Sequence, residues 1–233
     1  EHGTEVVPVD KTDSRTYRKI TQTIQEVPAG KTDADKKVVR TASVEFERTG
    51  VQDLVTGKII SWNAWNSNSE TFPVYNIKEQ KGYDSYVNGV KATEVAAAAV
   101  TEKDGEPQNG ATVTVTYTAN EHTLVINYVD GNGTVVGTYN VPGKTDETVN
   151  VDVSGHVPTN WKLVPNQQTI SSYKFGSDDP QPVDYKVEHA TKDITPTDPG
   201  VNPTDPKYKD MFTTVSRDIY QTKPGQAETK IDT

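Results

Sequence analysis

Apolar and polar residues alternate along much of the chain, and that period of two predicts strands. Thr41 to Glu47 places Ala42, Val44 and Phe46 on one face. Ala111 to Thr118 alternates strictly, with Val113, Val115 and Tyr117 inward and four threonines outward. His122 to Val129 sets Leu124, Ile126 and Tyr128 on a face, and Thr134 to Val141 is its expected partner. Asp130-Gly131-Asn132-Gly133 lies between these two runs and predicts a hairpin, because both glycines tolerate a positive φ. Trp161–Val164 and Val183–Val187 read as further strands, and Thr148–Val153 also alternates, which argues against a helix there. One run is ambiguous. Thr93 to Val100 is alanine-rich, which favours helix in isolation, but Gly89 and Gly105 bracket it closely. A short helix feeding a strand is one reading of it.

The chain also repeats its own beginning. Glu1-His2-Gly3-Thr4 returns as Glu188-His189-Ala190-Thr191, and Ile20–Ile24 is echoed by Val215–Ile219. Pro28-Ala29-Gly30 is echoed by Pro224-Gly225. Periods of about 20–50 residues mean solenoids. This longer one means whole domains in series. Residues 1–15 read as a lead-in, 16–119 as a first domain and 120–187 as a second, smaller one. Residues 188–210 carry Pro196, Pro199, Pro203 and Pro206 and read as an extended, semi-rigid linker. Residues 211–233 open the next unit, and are expected to fray or to pair with an available sheet edge. Neither a signal peptide nor a sorting signal is evident, so the chain is expected to be an internal piece of a longer protein.

Composition narrows the function classes. Thr (32) and Val (30) far outnumber Met (1) and Phe (4), as suits pleated surfaces and small cores. There is no cysteine, so disulfides, thiol nucleophiles and cysteine-based zinc sites are excluded. No apolar run reaches membrane-spanning length, so membrane insertion is not expected. A net charge of -9 without a basic patch argues against nucleic acid. Catalysis has little to work with: four histidines, two of them copies of one repeat position, and no Gly-x-Ser-x-Gly elbow. Asp178-Asp179 sits in turn composition. Asp130-x-Asn132 is half of a calcium loop, which the hairpin alone explains, and Asp178, Asp179 and Asp184 would hold Ca²⁺ only if their loops converged. An enzyme is the least expected class.

The order and spacing of several short motifs resemble the mucus-binding (Mub) repeats of Gram-positive bacterial surface adhesins. In the smaller domain these are Ile126–Gly133, Gly143-Lys144-Thr145, Asn160–Val164 and Tyr185–His189, which resemble the MucBP domain. In the larger domain they are Thr56-Gly57, Trp62, Phe72-Pro73-Val74 and Gly82-Tyr83. Trp161 departs from the pattern, where a tyrosine beside a glycine is expected. The resemblance implies a mainly β chain with minor α, built as two tandem β-grasp (ubiquitin-like) domains in an elongated rod. It also implies a secreted, wall-anchored adhesin repeat that is a monomer within a tandem array and binds host mucin glycans. The alternatives are an immunoglobulin-binding module acting through an exposed sheet edge, or a structural spacer in a surface stalk.

Aromatic residues carry the binding expectation, because sugar C–H faces lie against rings while hydroxyls need polar partners. The candidates are Trp62, Trp65, Asn66, Tyr83 and Trp161. Residues three apart on a strand face opposite sides, so at most one of Trp62 and Trp65 is expected in the core. Because mucin carries sialic acid and sulfate, a chain at -9 should bind it more strongly as pH falls from 7 towards 5.

Overall fold

The computed structural model describes residues 3–232. The alternating runs do form strands. Tyr17–Glu26 and Lys37–Glu47 make a long antiparallel hairpin, and Val113–Ala119 lies on the other side of Tyr17–Glu26 and parallel to it. Tyr83–Val87 and Val90–Lys91 complete a five-stranded sheet. Ile20, Val44, Phe46 and Phe72 form one buried cluster, with Ala42 and Trp65 packed on it. Ile24, Val95, Val113 and Val115 form another, with Tyr117 at its margin. Two small clusters suit a chain with few large apolar side chains.

The second sheet has the order Val135–Lys144, Glu121–Val129, Val183–His189, with Trp161–Leu163 at the far edge. Its central pair, Glu121–Val129 and Val183–His189, is parallel. Leu124, Ile126 and Tyr128 are fully buried on one face, against Val151, Val153 and Phe175. Burial pushes the Tyr128 phenol up to about 12, and it donates to the Val153 carbonyl at 2.6 Å. The Asp130 carboxylate accepts from the backbone N–H of Asn132 and Thr134. Only Gly133 of the two glycines takes a positive φ (86°), so the side chain and one glycine suffice to turn the chain.

The chain is mainly β, as expected. The minor helical part among the described residues is confined to short 3-10 turns at Asp33–Asp35, Ser154–His156 and Pro206–Met211. The alanine-rich run forms no helix. Glu94–Val95 pairs with Tyr75–Asn76, and Ala98–Ala99 with Thr71–Phe72. A helix this short gains little from its first turn, whereas the strand form buries Val95 and finds backbone partners on both pairs.

Contacts group the chain into two units. One runs to Pro158 and takes in Leu163–Val187; the other comprises Thr159–Lys162 and the residues from Glu188 on. In the second unit, Ile219–Gln221 and Thr229–Asp232 form a hairpin. These two strands pair with each other as a two-stranded sheet of their own. Helices among the described residues are too short and polar to cross a membrane.

Exposed turns are tied by carboxylates. Hydrogen bonds from Thr12 hold Asp10 below the usual carboxylate range, and the Arg15 guanidinium does the same for Asp13. Backbone N–H groups of Thr32 and Thr56 lower Asp35 and Asp53. A carboxylate lowered on folding contributes stability above its unfolded pKa of ~3.9, and that stability is lost as pH falls through the folded value. The thermal midpoint should therefore stay flat from pH 7 to about 5 and decline below about 4. Scanning calorimetry across that range checks this, and a decline already complete at pH 5 would contradict it.

Candidate functional site

The five sequence candidates do not converge. Trp62 and Trp65 are both half-buried, so neither is a full core residue. The Arg48 guanidinium lies 5.0 Å from the Trp62 ring and 4.2 Å from the Trp65 ring. Arg15 approaches Trp62 and Arg18 approaches Trp65, at 5.8 and 5.4 Å. Glu106 neutralises the arrangement, pairing with Arg48 and Arg18 at 2.9 Å and accepting from the Trp65 indole N–H at 3.0 Å. Each indole thus has two guanidinium groups within 6 Å of its ring centre, which compete with a sugar for the ring. Asn66 is tied through its backbone to Glu47, with its residue exposed. Trp161 belongs to the second unit and stacks on His189 at 4.3 Å.

Tyr83 is placed differently. It opens the Tyr83–Val87 strand and, with Tyr117 diagonal to it on the neighbouring strand, lines a groove of about 650 Å³. Gln80, Ser85 and Thr93 line this groove with amide and hydroxyl groups, and the Asp84–Lys91 pair (2.6 Å) closes one side. The same two tyrosines also border a second depression of about 520 Å³, which reaches Lys31, Lys144 and Asp146. Both phenols are anchored. Tyr83 donates to Asp146 at 2.9 Å and Tyr117 to the Lys78 carbonyl at 2.8 Å. Burial raises the Tyr83 phenol, and Asp146 adds to the effect; burial first and Glu26 second push Tyr117 up to about 12. Two fixed, un-ionised rings among polar groups suit a sugar. Sequence reading placed Tyr117 in the core and missed its outer end. Its strand position shows only that the ring points inward, and the amphipathic length of tyrosine lets the ring edge reach the groove as well.

The 144–147 turn supports this wall. Gly82, just before Tyr83, has a φ of 81°, and a Cβ there would sit 2.7 Å from the Thr145 side chain and 2.9 Å from Ser177. Gly82→Ala should therefore destabilise this contact by about 1–3 kcal/mol. Denaturant unfolding measures it, and a change under 0.5 kcal/mol would show that the turn yields freely. Thr145 also takes part in a carboxylate–imidazole–hydroxyl chain with His122 and Asp179. That order resembles a hydrolase relay, but Thr145 is buried and its hydroxyl is turned to the Gly82 carbonyl. The chain of contacts joins two pieces of structure and presents no nucleophile. The carboxylates considered for calcium also point apart: Asp178 pairs with Lys81, Asp179 with His122, and Asp184 accepts from Asn127. No group of three or more potential metal ligands occurs among the described residues.

Residues 10–121 match the model of the Muc B2-like domain. The matched segment contains Trp62, Trp65, Asn66 and both groove tyrosines. Solved structures are similar to the chain. A crystal structure of Mub-RV is 23% identical over 51% of this chain and 61% of its own, with a TM-score of 0.38. The MucBP domain of an adhesion protein from Pediococcus pentosaceus is 28% identical over 44% of this chain and 99% of its own, with a TM-score of 0.34. The type 2 repeat of the mucus binding protein MUB from Lactobacillus reuteri is 27% identical over 51% of this chain and 60% of its own, with a TM-score of 0.35. The chain thus spans about three-fifths of the length of two of these proteins. No curated protein matches it.

Proposed function

We propose that the chain is a repeat of an extracellular, wall-anchored bacterial adhesin, and that its Muc B2-like domain binds host mucin glycans in the Tyr83–Tyr117 groove. The observation that carries this reading is the pair of anchored phenols inside the matched segment, bordered by amide, hydroxyl and charged groups. Trp62 and Trp65 act instead as struts, because guanidinium groups cover them. The reading involves no catalysis. A shallow single site of this kind binds weakly, and repetition along a tethered array would multiply it into avidity. We place the domain limits of the chain at 16–119 and 120–187, around the five-stranded and the four-stranded sheet respectively.

Titration of the isotopically labelled chain with O-glycans released from gastric mucin tests the proposal. Amide shifts should concentrate at Gln80–Ser85, Lys91–Thr93 and Tyr117. Shifts confined to the Trp62–Asn66 segment, or saturable binding of immunoglobulin with none of mucin glycans, would overturn it.

A further inference from the structure

His122 is 7% exposed, and each of its ring nitrogens faces an oxygen. Nδ1 lies 2.8 Å from Asp179 Oδ1 and Nε2 lies 2.9 Å from Thr145 Oγ1. Thr145 Oγ1 in turn lies 2.8 Å from the Gly82 carbonyl oxygen. Three contacts therefore need three hydrogens. The carboxylate and the carbonyl supply none, and the threonine hydroxyl supplies one. The imidazolium form supplies the other two. A neutral ring supplies only one, which leaves one of the three contacts without a hydrogen. The Gly82 carbonyl keeps a second donor in the Asn120 N–H at 2.9 Å, so it can release the threonine without being left unpaired.

That link bears on the groove. Gly82 precedes Tyr83, and the residue after Thr145 is Asp146, which accepts from the Tyr83 phenol. The 144–147 turn thus holds the tyrosine at two adjacent points. The charged groups around the imidazole come from every neighbouring element. Asp179 faces it directly. Glu121 lies on its own strand, Lys144 on the adjacent strand and Glu147 in the turn, all bordering one depression beside the ring. Asp178 lies beyond, paired with Lys81, and the Phe175 ring stacks at 6.1 Å.

We propose that His122 is a positioning residue whose protonation fixes Thr145 against Gly82, sets the Tyr83 wall of the groove, and so strengthens glycan capture in mildly acidic surroundings. The part concerning capture rests on the reading of the groove given above. Histidine is the side chain whose charge ordinarily changes between about pH 5 and 8. The protonated state makes one hydrogen bond more than the neutral one, so the wall is firmer with the ring charged than with it neutral.

The test uses the full chain and purified gastric mucin, at pH 5.5 and pH 8.0 in high salt, which screens the long-range effect of the net charge. Wild type should bind roughly 3–10-fold more tightly at pH 5.5, the range expected when a single hydrogen bond is gained. His122→Gln, which cannot donate from both sides, should bind equally at both pH values. Thr145→Val should also flatten the profile, whereas Thr145→Ser, which keeps the hydroxyl, should retain it. His156 and His189 are present in every variant, so a pH response that survives in His122→Gln overturns the proposal. If mucin does not bind at any pH, the groove reading fails, and amide spectra without ligand decide the positioning role. Gly82, Tyr83 and Thr145 should then shift together with the His122 ring nitrogens in wild type and stay still in His122→Gln. Ring titration without movement of those amides overturns it.

Discussion

Replacing Phe72 with alanine should lower the unfolding free energy of the segment that matches the Muc B2-like model by about 3–5 kcal/mol. Phe72 is 1% exposed and, with Phe46, one of the two largest buried side chains in the cluster with Ile20 and Val44. It projects from a two-residue strand, so little backbone pairing remains to hold the segment once the ring is gone. The ring also lies close to the Gly110 backbone, where a Cβ would come within 2.8 Å, so the gap has backbone on one side and cannot collapse easily. For a domain of this size each kcal/mol moves the thermal midpoint by about 4–8 °C, which makes the expected drop roughly 12–40 °C. Leu54→Ala is the natural control. Leu54 is 56% exposed, and its removal should change stability by less than about 0.5 kcal/mol. Chemical denaturation of the two variants checks both values. A Phe72→Ala protein within 1 kcal/mol of wild type would mean that the two small clusters do not hold the domain together.

The second large effect concerns binding. Tyr83→Ala should weaken the affinity for mucin O-glycans by about 10-fold or more, as expected for an aromatic anchor at the centre of a site. Tyr83→Phe should lose less, about 2–10-fold, because it keeps the ring face and gives up only the hydrogen bond to Asp146. Trp62→Ala should leave affinity nearly unchanged while lowering stability, since its ring is covered by Arg48 and Arg15. Calorimetric titration of the three variants separates these outcomes. The reverse order, with Trp62→Ala abolishing binding and Tyr83→Ala neutral, would move the site to the indole pair.

The pH behaviour of adhesion has two sources with different signatures. The expectation drawn from a net charge of -9 depends on carboxylates taking up protons between pH 7 and 5. Asp10, Asp13, Asp35, Asp53 and Asp178 are held low by hydrogen bonds, the last chiefly by Lys81, and they stay charged through that range. The long-range effect is therefore carried by other groups and fades with salt. The effect assigned to His122 is short-range and persists in salt.

Several features were legible in the chain because they are local. Alternation over Val113–Tyr117 and Leu124–Tyr128 marks inward faces, since a strand has no other way to separate apolar from polar side chains. Asp130 to Gly133 marks its hairpin through groups that act within four residues. Single tryptophans are another matter. The spacing of Trp62 and Trp65 shows that they cannot both face one core, but Arg48 and Glu106, which cover and tether them, lie 14 or more residues away in sequence. The alanine-rich run misleads for a similar reason: propensity is a weak local preference, and strand partners at Thr71–Phe72 and Tyr75–Asn76 override it.

Sequence alone determined that this protein is strand-rich and has no thiol chemistry, because both are written in composition and short-range alternation, while its short motifs resemble those of mucus-binding repeats. Tertiary structure decided which aromatic rings are open and which are covered, that Tyr83 and Tyr117 share a groove, and that His122 reaches Thr145 and through it Gly82. Those facts depend on side chains brought together from distant positions by the pairing of strands, and the burial of a ring is settled by whatever packs against it, not by the residues beside it in the chain.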